Sequence, residues 1–424
     1  MKLRPFIFAA MTLFVPLTTP IWLAAQKQNQ WPPNYSVADV GTLGGTFGEA
    51  IAVSTKGSVA GDAKLLGDTV KHAFLWRKGL IKDLGTLGGP NSRATSLNEE
   101  DEVTGFSEIS TPDPLGEDFC QFGTNLICLP FVWQDGAMVP LPTLGSNGQA
   151  LAVNSRGLVA GAAENDTLDA TCPSGSEFRQ LEPVLWEKGE IHKLPTIAGD
   201  PNGSVHAIND NGQAVGNTLD CTGSSFHAVR WQHGKAIDLG TLDGLLLAPQ
   251  AINNRGQVVG FAVSQDDSNF VLVAFLWHNG VATNLGTLPP DVFSLALGIN
   301  NKGQIVGDSC DADFSCRAFL WQAGTMTELN SLVHDPNAPF LENGNSINSL
   351  GQIAGKTTVQ GTPIADAFLA TPSRGKAVGE NAAPAVTPMT SPTPRVVLSE
   401  DTRRMLRQRM GSRVTIPALG APRN

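Results

Sequence analysis

The residues that could do chemistry in this 424-residue chain are few, and they do not assemble into a familiar catalytic pattern. The seven histidines are scattered. Two of them, His72 and His227, stand at matching places in the repeats described below, which predicts a structural role. Asp308, Asp311 and Asp313 in "DSCDADF" are carboxylates of the kind that ligates calcium, but the other oxygen donors of a calcium loop are missing. Asp266 and Asp267 in "SQDDSN" are a weaker set. There is no G-x-S-x-G, no H-E-x-x-H and no phosphate-binding glycine loop. No catalytic or cofactor-binding residue is assigned, and calcium on the three aspartates is the one cofactor that stays open. Paired carboxylates near an axis, as in glycoside hydrolysis, also stay open, although no polar residue stands out across the copies of the first strand.

The six cysteines carry a clearer signal. Cys120 and Cys128 share one loop, Cys310 and Cys316 share another, and Cys172 and Cys221 occupy equivalent loops of adjacent repeats. Zinc would call for C-x-x-C spacing and clustered histidines, and both are absent. Three disulfides with those pairings are expected, which suits an exported chain.

These residues are positioned by a repeat. The phrase "INNRGQVVG" ending at Gly260 recurs with its last glycine at Gly61, Gly105, Gly161, Gly216, Gly307 and Gly355, about 44 to 56 residues apart. Each copy is followed by an apolar phrase such as "HAFLW", ending at Trp76, Trp133, Trp186, Trp231, Trp277 and Trp321, and in the last copy at Ala370. Most then run on to a phrase such as "DLGTL". The runs are short, rich in Val, Ile, Phe and Trp, and bounded by Gly, Asn and Asp, so each reads as a strand. "NNRG" and "HNG" read as tight hairpins, with Asn209, Asn253, Asn300 and Asn348 as turn caps. "HAFLW" is apolar on both faces and must be covered on both. Four-stranded antiparallel sheets repeated radially do this. The seventh copy lacks its fourth strand, and "YSVADVGTLGG" at residues 35–45 is a fourth strand with no first three. The expected fold is therefore all-β: a seven-bladed β-propeller over residues 35–372, closed by the N-terminal strand completing the last blade. An open solenoid is the alternative, but neither end supplies a cap.

With "HAF" at residues 72–74, "LGTLGG" and the "AIN-x-RGQVVG" phrase, residues 35–372 resemble the HAF-repeat family of extracellular bacterial proteins. The resemblance implies a propeller-like, exported protein. It brings no established activity and no functional residues.

The ends fit export. Residues 1–25 read as a signal peptide, with Lys2 and Arg4 before an apolar run; the alternative is an uncleaved anchor, weakened by Pro16 and Pro20. Residues 26–34 read as a linker, 373–397 as a disordered Pro/Ala-rich linker, and 398–424 as a basic tail with a short helix over 398–410. The location expected is secreted, extracellular or periplasmic, with no span after signal cleavage.

The chain carries −10 overall, but residues 373–424 hold nine Lys/Arg against three Asp/Glu, leaving −19 on residues 28–372. That excludes nucleic acid as a natural partner. In an up-and-down blade the two tight hairpins share one end. The second-to-third loop and the crossing to the next blade share the other, where the long loops 106–129 and 162–182 raise a lip on blades 2 and 3. Long loops on a rigid scaffold concentrate binding. The reading is a monomeric binding module for a protein or carbohydrate. Alternatives are an extracellular hydrolase or lyase with axial carboxylates, and a structural cell-surface component. The single tyrosine argues against a general aromatic binding surface.

Overall fold

The computed structural model describes residues 32–373, apart from 175–176, 265–269 and 359–363. The expected signal peptide, most of its linker, the Pro/Ala-rich segment, the tail helix, and Asp266 and Asp267 lie outside the described residues.

The fold is a seven-bladed β-propeller of four-stranded antiparallel sheets. Blades 1 to 6 cover residues 44–83, 92–140, 148–193, 202–238, 246–284 and 293–328. Blade 7 takes three strands from residues 340–373 and its outermost strand, Asn34–Gly41, from the N-terminus. That strand pairs antiparallel with Ala367–Ser373, from Asn34 opposite Ser373 to Gly41 opposite Ala367. The first strands line the centre: each touches the next, and that of blade 7 touches that of blade 1. No helix among the described residues is long and apolar enough to cross a membrane.

Why the repeat keeps its residues is visible in the packing. Every first strand carries a one-residue β-bulge, as between Pro249 and Ala251. The bulge pushes a carbonyl onto the second strand, where the last glycine of the repeated phrase stands. A Cβ on Gly61, Gly161, Gly216 or Gly307 would lie 1.9 Å from that carbonyl oxygen, and on Gly260 2.1 Å. Only glycine fits. The third-to-fourth hairpins have both central residues at positive φ, as in Lys188–Gly189 and Asn279–Gly280, the type I′ geometry that follows the twist of the strands.

Between blades the repeated tryptophans act as pins. Trp186, Trp231 and Trp277 donate their indole N–H to the carbonyls of Pro142, Pro195 and Leu239, in the connections that leave the preceding blades, at 2.8, 2.7 and 3.1 Å. The hairpin asparagines do more than cap. Asn253 Oδ1 accepts from Arg255 N and Gln257 N, as expected of a cap, while its Nδ2 donates to the Asn300 carbonyl of the next blade at 3.0 Å. Asn98, Asn154, Asn209, Asn300 and Asn348 repeat this link, the last to the Ser54 carbonyl of blade 1. Six of the seven links of the belt are present. The position that would make the seventh, Ser54, has a buried hydroxyl with no hydrogen-bond partner.

Candidate functional site

The face opposite the tight hairpins is built up over blades 2 to 4. Its long segments are less loop-like than expected, because the strands run far into them: Val103–Pro112 and Leu126–Gln134 in blade 2, Val159–Leu168 and Arg179–Glu187 in blade 3. What remains is a connection at residues 113–125 and another at 169–178. The first has a core of its own, in which Phe119 and Cys120 pack with Phe106, Cys128, Ala162 and Leu181. Phe119 is only 2% exposed, so this lip is part of the fold and could not be cut away as a free loop.

Three asparagines fix the lip. Asn91 and Asn147 stand just before the first strands of blades 2 and 3, and Asn202 opens that of blade 4. Each accepts a backbone N–H from the third strand of the preceding blade, those of Lys71, Cys128 and Leu181, at 2.9 to 3.0 Å. Each donates to carboxylates of the second strands or the loops after them: Asn91 to Glu108, Asn147 to both Asp113 and Glu164 at 2.7 Å, Asn202 to Asp169 at 2.6 Å. Burial is the main influence on Glu108 and pushes its carboxyl above the usual range. The "PNS", "SNG" and "PNG" triplets are the mark of this element in the sequence, where each asparagine looks like an ordinary turn residue.

The three disulfides pair as expected: Cys120 with Cys128, Cys172 with Cys221, and Cys310 with Cys316. Cys128, Cys310 and Cys316 lie within strands rather than in loops. The Cys172–Cys221 bond ties the loop of blade 3 to that of blade 4. Asp169 lies beside it, but the two sulfurs are bonded to each other, so the group offers one carboxylate and no metal donor set.

The calcium candidates do not come together. Asp308 is buried in the strand Ile305–Cys310, opposite Leu295 and Ala318. Asp311 caps the next turn, accepting from Asp313 N and Ser315 N at 3.0 and 2.9 Å, and Asp313 is exposed. His72 and His227 both meet carboxylates, Asp83 at 2.9 Å and Asp200 at 2.8 Å. At the matching place blade 3 has Glu182 with Lys193, and blade 6 has Arg317 with Asp291 and Glu328. In these four blades the place holds His, Glu or Arg against a carboxylate or a lysine and acts as a polar clamp, whereas blades 2, 5 and 7 have Leu129, Val273 and Asp366 there.

One expectation needs correcting. The first strands do carry polar residues that break the repeat: Glu49 in blade 1 and Arg93 in blade 2 stand where blades 5 and 6 have Ala248 and Leu295. They belong to a charged arc across blades 7, 1 and 2. Arg93 Nε lies 3.1 Å from Asp62 and its NH2 group 3.6 Å from Glu49. Lys71 meets Asp62 at 2.9 Å, and Lys356 meets Glu342 at 3.0 Å. Glu49 also accepts from Asn343 and Asn345 of blade 7 at 3.3 and 3.0 Å. Burial works against the Arg93 charge, but Asp62 and Glu49 outweigh it and hold the guanidinium above its ordinary value. These carboxylates are already engaged by cations or amides of the same or a neighbouring blade. The arc lies beside the closing blade and ties it to blade 1.

No family model matches this chain, and no curated protein matches it. Among solved structures it is similar to the β-propeller domain of the Trilobed protease from Pyrococcus furiosus, with 13% identity and a TM-score of 0.43 over 66% of this chain and 79% of that one. A Mycobacterium tuberculosis puromycin-hydrolyzing peptidase gives 11% and 0.44, over 79% of this chain and 56% of that one. A Trypanosoma rangeli sialidase gives 11% and 0.38, over 80% and 58%. The chain thus spans little more than half the length of the peptidase and the sialidase. Likenesses this low carry no argument about what the chain does.

Proposed function

We propose that this propeller is an exported member of the HAF-repeat family and a binding module, and that it holds a protein partner on the long-loop face over blades 2 to 4. The observation that carries this is the contrast between the two places where chemistry could lie. The axial carboxylates Glu49, Asp62 and Glu342 are each engaged by a cation or an amide from the same or a neighbouring blade. The lip, by contrast, is cross-linked and internally packed, and its carboxylates Glu108, Asp113, Glu164 and Asp169 are each held by an asparagine amide as parts of the scaffold. Rigid, pre-organised surface is what binding needs. A protein fits better than a sugar, because no aromatic side chain is among the exposed large hydrophobics of the described residues, and sugar faces stack on aromatics. Three disulfides support an oxidising compartment.

The test uses substitutions that leave the lip's core intact. Thr167→Arg and Leu168→Arg change side chains that are exposed, Leu168 by 54%. Both should preserve the melting temperature and abolish retention of the envelope protein that the parent captures. Retention unchanged in both variants would remove the lip from the binding site. Turnover of a polysaccharide or ester panel by the parent, lost in Glu49→Gln, would establish the axial hydrolase instead.

A further inference from the structure

The acidic excess of the propeller is concentrated in the connections of one face. Residues 32–373 contain 17 Lys/Arg and 36 Asp/Glu. The hairpin turns of one face take eight of each: Lys56, Arg77, Lys78, Arg156, Lys188, Lys235, Arg255 and Lys302 against the acids of residues 99–102 and Asp135, Glu187, Glu190 and Asp210. That face is neutral. Among the described residues, the connections of the other face hold 14 Asp/Glu and no Lys/Arg, while the strand bodies hold nine Lys/Arg and 12 Asp/Glu. Acidity that served only to keep the molecule in solution would be spread over both faces. Here most of the excess sits on the connections of the face that carries the lip, with Asp243 and Asp313 exposed on the crossing from blade 4 to 5 and the loop of blade 6, and Asp166, paired with Arg179 at 2.9 Å, at the exposed end of a blade 3 strand.

The same chain contains a complementary segment. Residues 402–413, "TRRMLRQRMGSR", hold five arginines and no acid. The last described strand, Ala367–Ser373, runs from the long-loop face to the hairpin face, so its seven residues cross about 23 Å of sheet at about 3.3 Å each. The 24 residues 374–397 then intervene. At about 3.3 Å per residue they reach about 80 Å, more than enough to return over the rim to the acidic face. A tether of that length holds its end near its own propeller at roughly millimolar effective concentration.

We infer that the long-loop face is a docking surface for an arginine-rich segment, and that residues 402–413 of the same chain occupy it. Arginine suits the role because its fork meets carboxylates in bidentate fashion. The inference rests on reading this face as the binding surface. It adds that an external partner must displace the chain's own tail.

The experiment uses the full chain and a fluorescein-labelled synthetic peptide of residues 398–413. The probe is titrated by anisotropy against the parent, and against a variant with Arg403, Arg404, Arg407, Arg409 and Arg413 changed to Gln. A third protein adds Asp166→Asn, Asp243→Asn and Asp313→Asn, which keep turn-compatible side chains. With its face vacated, the Gln-tail protein should bind the peptide at least tenfold more tightly than the parent. The third protein should lose that gain, and so should the second on raising salt from 50 to 500 mM, which shortens screening to a few ångströms. Equal affinity for parent and Gln-tail variant would overturn the tail as occupant. Undiminished binding to the third protein would overturn the acidic face as its site. If no protein binds the peptide while the parent still retains an envelope partner that Leu168→Arg releases, this inference fails and the binding role stands.

Discussion

The closing seam contains the only tyrosine of the chain, and that makes ring closure measurable. Tyr35 lies in the N-terminal strand, 4% exposed, and donates its hydroxyl to the Gly351 carbonyl of the same blade at 3.1 Å. Removing the hydroxyl in Tyr35→Phe leaves the ring packed and loses one buried hydrogen bond, about 1 kcal/mol. At roughly 2.1 cal/mol/K per residue for the unfolding entropy, that lowers Tm by about 1.5 °C. Tyr35→Ala also leaves a cavity and should cost about 3–5 kcal/mol, or about 4–7 °C. Burial raises the Tyr35 pKa, so the folded protein keeps a proton that the unfolded chain gives up near pH 10. Stability from this group is complete below pH 10 and falls above it, by up to about 1.4 kcal/mol per pH unit. Lys356 acts in the same window with the same sign: burial opposes its charge, but Glu49, then Glu342, hold its pKa above the ordinary value. The difference between the parent and Tyr35→Phe therefore isolates the tyrosine. The assay is an alkaline titration that follows tyrosinate absorbance and tryptophan fluorescence together. Both should change in one transition, because Tyr35 ionises only when the seam opens. Tyrosinate appearing near pH 10 with the tryptophan signal still native would refute a buried closing strand.

Two further predictions concern the repeat. Asn253→Leu removes one belt link and two caps and should cost about 2–4 kcal/mol by chemical denaturation, whereas Ser54→Asn supplies the missing link and should stabilise by about 1 kcal/mol; a neutral Ser54→Asn would show that the belt does not hold the blades. Gly260→Ala in a strand would ordinarily help slightly, but the added Cβ would sit 2.1 Å from the Ala248 carbonyl oxygen, so a loss of about 3 kcal/mol or more, read in Tm or soluble yield, is expected.

Much of the fold was legible because the sequence states it seven times. Strand count, hairpin positions, the shared last blade and the three disulfides follow from repeated phrases and from which phrase is missing at each end. The bulge was not legible. An extra residue in the first strand leaves the apolar pattern intact, and its only mark is the fixed glycine on the neighbouring strand, which reads equally well as a turn residue. The inter-blade work of Asn253 and its equivalents was hidden for a similar reason. One amide both caps its own turn and reaches the next blade, and a single sequence shows only the first use.

The candidate site was less legible, because its residues matter by departing from the repeat. Glu49 and Arg93 look unremarkable one at a time: a glutamate after "TFG", an arginine after "PNS". Only the register shows that they fill one position in adjacent blades, facing each other, and that Asn343 and Asn345 reach Glu49 from the far end of the chain. A carboxylate near a propeller axis invites a catalytic reading. Here the partners of Glu49 come from blades 7 and 2, on either side of its own blade and next to the junction closed by a strand from the other terminus. A charge that must find partners from both chain ends favours the closed register over a slipped one, since a slip would leave the half-buried Glu49 without these partners. The axis is therefore used for closure. The freedom to bind is left to the outer loops, where Asn91, Asn147, Asn202 and the Cys172–Cys221 bond fix a surface that does not obey the repeat.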